Sequence, residues 1–167
     1  MITQNISTKI GVMTLMYFIC YVLIKPVVSG NLCSLSNLNL QNLKKKKINV
    51  IGIVFNLDRH DQPGSHWVAT VIDSKQNQLM YYDSNGIHPP NDIMPFLKKM
   101  ANNLDKMNKS KVKVYKNTTR HQKGNSECGI FSMNFIIKYL DGNSFDKIIK
   151  SYPSDKEMNE LRRSLYR

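Results

Sequence analysis

Apolar residues in this chain come in blocks, and their spacing changes from block to block. Ile48 to Phe55 is almost continuously apolar and β-branched, with the length of a buried strand. His66 to Asp73 reads as a second strand, and Gln78 to Asp83, with Tyr81 and Tyr82, as a third. Ser74 to Asn77 between them has the length of a hairpin turn, so these two strands are predicted to run antiparallel. The loop Asn56 to Ser65 carries the turn formers Asp58, Asp61, Pro63 and Gly64, and Ser84-Asn85-Gly86 with Pro89-Pro90 stops the sheet.

The period then becomes helical. Ile93, Phe96, Leu97, Met100 and Leu104 predict a helix running to about Met107, capped by Asn91 or Asp92, with Pro95 in its first turn. Lys111 to Lys116 alternates Val112 and Val114 with lysines, the pattern of a half-exposed strand. After the polar loop Asn117 to Glu127, Cys128 to Leu140 forms an apolar helix closed by Gly142. Ser154 and Glu157 make a capping box before a last amphipathic helix carrying Met158, Leu161 and Leu165. These elements predict an α+β fold: a small, mainly antiparallel mixed sheet with helices packed around it and Cys128 at a helix N-terminus.

With 167 residues the chain can bury one core without disulfide or metal staples. The 24 Lys and Arg against 12 Asp and Glu leave a formal charge of +12, which attracts acidic partners such as DNA or an anionic membrane. That charge is spread along the chain; its one concentration, Lys44-Lys45-Lys46-Lys47, fits a solvated turn before a strand better than a nucleic-acid patch. Cys20, Cys33 and Cys128 are odd in number and lack C-x-x-C spacing, which favours a reducing compartment with one functional thiol. His60, His66, His88 and His121 have no zinc-ligand spacing with them, so no metal is expected. Gly11 to Ile24 is uncharged over 14 residues, short of the ~20 that a spanning helix needs. It fits a buried helix, or a membrane or targeting segment with Val28-Ser29-Gly30 as a cleavage position. Residues 1–30 are accordingly set apart from a folded domain over 31–167.

Four residues combine into one chemistry. Cys128 begins a helix, where the macrodipole and unsatisfied N–H groups favour a thiolate. His66 opens one strand and Asp83, 17 residues on, ends the next, so the hairpin makes them neighbours. A carboxylate there can accept from the imidazole Nδ1–H and fix its tautomer. Gln122, six residues before Cys128, can donate to an oxyanion beside the Cys128 backbone N–H. Each residue alone has an ordinary reading: a buried thiol, a surface imidazole, a turn aspartate, a loop amide. Their joint occurrence points to nucleophilic catalysis.

His66-Trp67, Tyr82-Asp83-Ser84 and Gln122-Lys123-Gly124-Asn125-Ser126-Glu127-Cys128-Gly129-Ile130-Phe131 resemble the signature of the Ulp1-like (adenain-like) cysteine peptidases. Gly52 to Asp58 with Gly64 to Ala69 looks most like the versions encoded by nucleocytoplasmic large DNA viruses, such as African swine fever virus. The resemblance, over roughly residues 48 to 140, implies His66 as general base, Asp83 as its orienter, Cys128 as nucleophile and Gln122 as oxyanion donor. It puts Trp67, with Asn85 and Gly129, along the substrate cleft and requires no cofactor. It further implies a protein substrate cut after a Gly-Gly-type sequence, a viral polyprotein processed in the virion or host cytoplasm. Glu127 stands where cellular members have Asp, and only about 47 residues precede the first strand where relatives carry a longer substrate-binding region. Three other readings are a protease that removes ubiquitin-like modifiers, an acyltransferase using the same triad, and an inactive protease-fold module that binds membrane through residues 11–24 or DNA through its basic surface.

Overall fold

The computed structural model describes residues 18–20, 35, 38–57 and 66–165. Five strands, β1 (Phe18–Cys20), β2 (Val50–Asn56), β3 (Trp67–Asp73), β4 (Gln78–Tyr82) and β5 (Lys113–Lys116), form one sheet in chain order. β3 runs antiparallel to both β2 and β4, while β1 pairs parallel with β2 and β5 parallel with β4. The predicted mixed, mainly antiparallel sheet is therefore what these residues form. The helices are α1 (Leu40–Lys45), α2 (Met94–Asn108), α3 (Cys128–Leu140), α4 (Phe145–Lys150) and α5 (Asp155–Leu165).

The central strands are apolar throughout because both faces are covered. Ile51, Ile53 and Phe55 alternate onto one face with Val68, Ile72, Leu79 and Tyr81, under Leu97, Met100 and Leu104 of α2. Val54, Ala69, Val71, Met80 and Tyr82 point the other way, onto Ile130, Phe131, Phe135 and Ile136 of α3, with α4 and α5 outside. Gly52 makes the close approach of α3 possible: a Cβ there would lie 2.6 Å from Ile136 Cγ2. Gly52→Ala is expected to destabilise the fold by about 1–3 kcal/mol, as overpacking does. Pairing it with Ile136→Ala, which removes the clashing Cγ2, should cost less than the two single losses added together in denaturant titrations.

Several expectations are corrected. Neither Asn91 nor Asp92 caps α2; Ile93 holds the cap position without a side-chain bond. Ile93 and Met94 instead donate to the Pro90 carbonyl at 3.0 and 3.2 Å, and burial of Ile93 to 2% exposure fixes that turn. Val112 and Val114 do not share a covered face: Val112 is buried ahead of β5, whereas Val114 on this edge strand is 62% exposed. The stretch before the lysine run contains a short helix, α1, capped by the Asn39 side chain on the Asn42 N–H. Lys44 to Lys47 are all exposed, the first two in its last turn, where cations suit the helix dipole.

Of the apolar segment Gly11 to Ile24, only Phe18–Cys20 is among the described residues, and it is a strand rather than a helical turn. Its remainder, the Val28-Ser29-Gly30 position and the loop 58–65 lie outside the described residues. No helix among those described is long and apolar enough to cross a membrane. The Ser154–Glu157 capping box forms, with the Ser154 N–H and hydroxyl both donating to Glu157 Oε2 at 2.7 Å.

Candidate active site

His66 immediately precedes β3 and Asp83 immediately follows β4. The register pairs Ala69 with Tyr82, so His66 and Asp83 keep the alternation of Val68 and Tyr81 and project diagonally toward each other. Their side chains meet, with His66 Nε2 2.7 Å from Asp83 Oδ1 and the carboxylate only 2% exposed. Nε2 makes this bond, not the Nδ1 expected from the sequence. With Nε2 committed to the acid, Nδ1 is the nitrogen left for the cysteine.

Asp83 is itself immobilised. Its Oδ1 also accepts the Asn85 N–H at 2.7 Å, closing a turn in which the Gly86 N–H bonds the Asp83 carbonyl at 2.8 Å. Gly86 has φ +71°, and a Cβ there would lie 2.8 Å from the Thr119 backbone, so this turn sits directly on the loop that follows β5. From that loop, Asn117 Oδ1 accepts the Asp83 N–H at 2.9 Å while its Nδ2 donates to the Asp83 carbonyl at 2.6 Å.

Cys128 is the first residue of α3 and 6% exposed. Burial, the largest single influence, pushes its thiol up. The hydrogen bond with His66, the Trp67 N–H, the imidazolium charge and the Gly129 N–H together outweigh burial, leaving the thiol below its usual range. For His66 burial again opposes the charged form, but the hydrogen bonds with Asp83 and Cys128 and their charges raise it to about 9. A thiolate–imidazolium pair at neutral pH is what these opposing shifts favour.

Gln122 is buried to 2% exposure in the loop entering α3, six residues before Cys128. Its Oε1 accepts the Ser84 hydroxyl at 2.7 Å and its Nε2 donates to the Gly124 carbonyl at 2.9 Å, which leaves Nε2 a second hydrogen. The Cys128 N–H lies in the first turn of α3, where a helix has no internal acceptor for it. Trp67 packs close to Gly129, whose added Cβ would lie 3.9 Å from the indole Cγ, and the Trp67 carbonyl accepts the Ser132 hydroxyl at 3.0 Å. Asn85 is half-buried and contributes its backbone N–H to Asp83.

A family model described as the C-terminal catalytic domain of the Ulp1 protease family matches residues 32–167. The chain belongs to the Ulp1 protease family. It is 40% identical over 138 residues to a protein of Acanthamoeba polyphaga mimivirus named as a thiol protease, covering 82% of this chain and 45% of that protein. The crystal structure of the African swine fever virus protease superposes with a TM-score of 0.63 at 31% identity, over 71% of this chain and 44% of that one. The yeast Ulp1 protease domain, solved in complex with the SUMO orthologue Smt3, shares the fold with a TM-score of 0.51 at 19% identity, over 74% of this chain and 56% of that one. The chain spans about half the length of the curated relatives it matches.

Within this family fold, several residues that sequence reasoning passed over hold the loop before Cys128. One face of α5 carries Asp155, Asn159 and Arg162 at helical spacing. Asp155 accepts the N–H groups of Lys123 and Gly124 at 3.0 and 2.6 Å, Asn159 donates to Glu127 at 3.1 Å, and Arg162 reaches the Ser126 carbonyl. Glu127 is buried to 7% exposure and takes the Ser126 hydroxyl at 2.6 Å, so this carboxylate braces the loop. His121, with its pKa lowered by burial, stacks on Tyr152 at 4.2 Å and meets Tyr82 through Nδ1. The capping box was the one sequence signal that α5 begins at Asp155; its contacts with a distant loop leave no local pattern.

Proposed function

We propose that this chain is the catalytic part of a cysteine endopeptidase that cleaves after Gly-Gly-type sites, acting on a viral polyprotein during particle maturation. The observation that carries the reading is the continuous relay from Asp83 through His66 to Cys128, with the acid 2.7 Å from the imidazole and the thiol lowered beside it. The Cys128 thiolate attacks the scissile carbonyl, and the oxyanion is met by the Cys128 N–H and the second Nε2 hydrogen of Gln122. His66 gives its Nδ1 proton to the leaving amine, then activates the water that clears the acyl-enzyme. Trp67, packed close to Gly129, would line the approach to Cys128.

The decisive experiment is labelling with an electrophilic Gly-Gly peptide, followed by location of the modified residue. Cys128 is the expected site, and modification of Cys20 or Cys33 in its place would overturn the assignment. A panel of Gly-Gly-X peptides beside modifier–fluorophore conjugates then separates polyprotein cleavage from deconjugation. Gln122→Ala is expected to lower kcat by about 10²–10³-fold, the usual value of one oxyanion donor, with little change in KM.

A further inference from the structure

Ser84 follows the acid directly and is fully buried at 0% exposure. Its hydroxyl donates to Gln122 Oε1 at 2.7 Å, and its carbonyl accepts the N–H groups of His121 and Gln122 at 2.8 and 3.0 Å. The dipeptide Asp83-Ser84 thus grips two parts of the site: Asp83 holds the imidazole and Ser84 holds the amide. The chemistry fixes the amide orientation. The Gly124 carbonyl can only accept, so it faces the NH₂ end; the Ser84 hydroxyl then donates to the oxygen end. One hydrogen bond would let the amide swing about its contact. Two bonds, at opposite ends, fix its plane and the direction of the remaining N–H.

We propose that Ser84 is a positioning residue for the reaction: by anchoring Gln122 Oε1 it aims the free Nε2 hydrogen at the oxyanion. The proposal rests on the reading of Gln122 as an oxyanion donor. Without the hydroxyl, Oε1 is left buried and unpaired, and the amide turns to find another partner. The donor then loses its aim while the thiolate–imidazolium pair, held by Asp83, is untouched.

The test is a double-mutant cycle with a Gly-Gly fluorogenic peptide, run beside the rate of Cys128 alkylation by iodoacetamide, which needs the thiolate and no oxyanion donor. Ser84→Ala should lower kcat about tenfold, a part of the 10²–10³-fold that the donor itself contributes, with KM and the alkylation rate unchanged. On a Gln122→Ala background, Ser84→Ala should cost nothing further. Ser84→Cys, which keeps the size but weakens the donor, should fall between and serves if the alanine variant does not fold. Equal losses from Ser84→Ala in both backgrounds, or a parallel fall in alkylation, would overturn the proposal. A Gln122→Ala enzyme with full activity would instead remove the oxyanion reading beneath it.

Discussion

Cys128→Ala and His66→Ala are each expected to abolish peptide hydrolysis while leaving the fold intact. The nucleophile of a hydrogen-bonded catalytic set is worth on the order of 10⁶ in kcat, because the remaining groups cannot act without it. Cys128 touches His66 and the Trp67 N–H at the start of α3, so replacing sulfur by hydrogen removes the only atom there that can attack. Cys128→Ser should be nearly as inactive, since a hydroxyl does not ionise in that setting. The check is turnover of a Gly-Gly fluorogenic peptide together with a melting curve. Full activity in Cys128→Ala would end the peptidase reading, and a melting temperature several degrees lower would assign the loss to folding.

Asp83→Asn is expected to lower kcat/KM at pH 7 by about 10²–10⁴-fold, the range of general acid–base catalysis, and to narrow the pH profile from both sides. In the intact enzyme the acid limb should report ionisation of Cys128, below the ordinary thiol range. The alkaline limb should report loss of the His66 proton near pH 9, above which the imidazole has none to give the leaving amine. The hydrogen bond and negative charge of Asp83 do much to hold that proton against the opposing effect of burial. Asparagine keeps the shape but loses the charge, so the alkaline limb moves down. The cysteine then loses its cationic partner, so the acid limb moves up. Alkylation of Cys128 as a function of pH isolates the second movement from the first. An unchanged alkaline limb in Asp83→Asn would show that another group raises His66.

Much of this was legible from residue order. The hairpin of β3 and β4 could be read from two apolar runs joined by Ser74 to Asn77, and strand alternation then brings His66 to Asp83. α3 and its first residue could be read from the apolar run and Gly142. Local patterns failed where burial or a distant partner decided. Ile93 took the cap position of α2 because it is buried, against the polar preference of Asn91 and Asp92. Val114 looked half-buried in sequence, yet it stands on the open edge of the sheet.

The sequence by itself determined the strands that flank His66 and Asp83, the loop that carries Gln122 and the helix that Cys128 begins, because periodicity and turn residues are local properties of the chain. Only the tertiary structure decided which imidazole nitrogen faces the acid, how Asn117 and Ser84 hold their neighbours, and that α5 braces the loop before Cys128. Those are contacts between residues 17 to 38 positions apart. They form because packed helices and a shared sheet bring buried polar groups within reach of partners they must find.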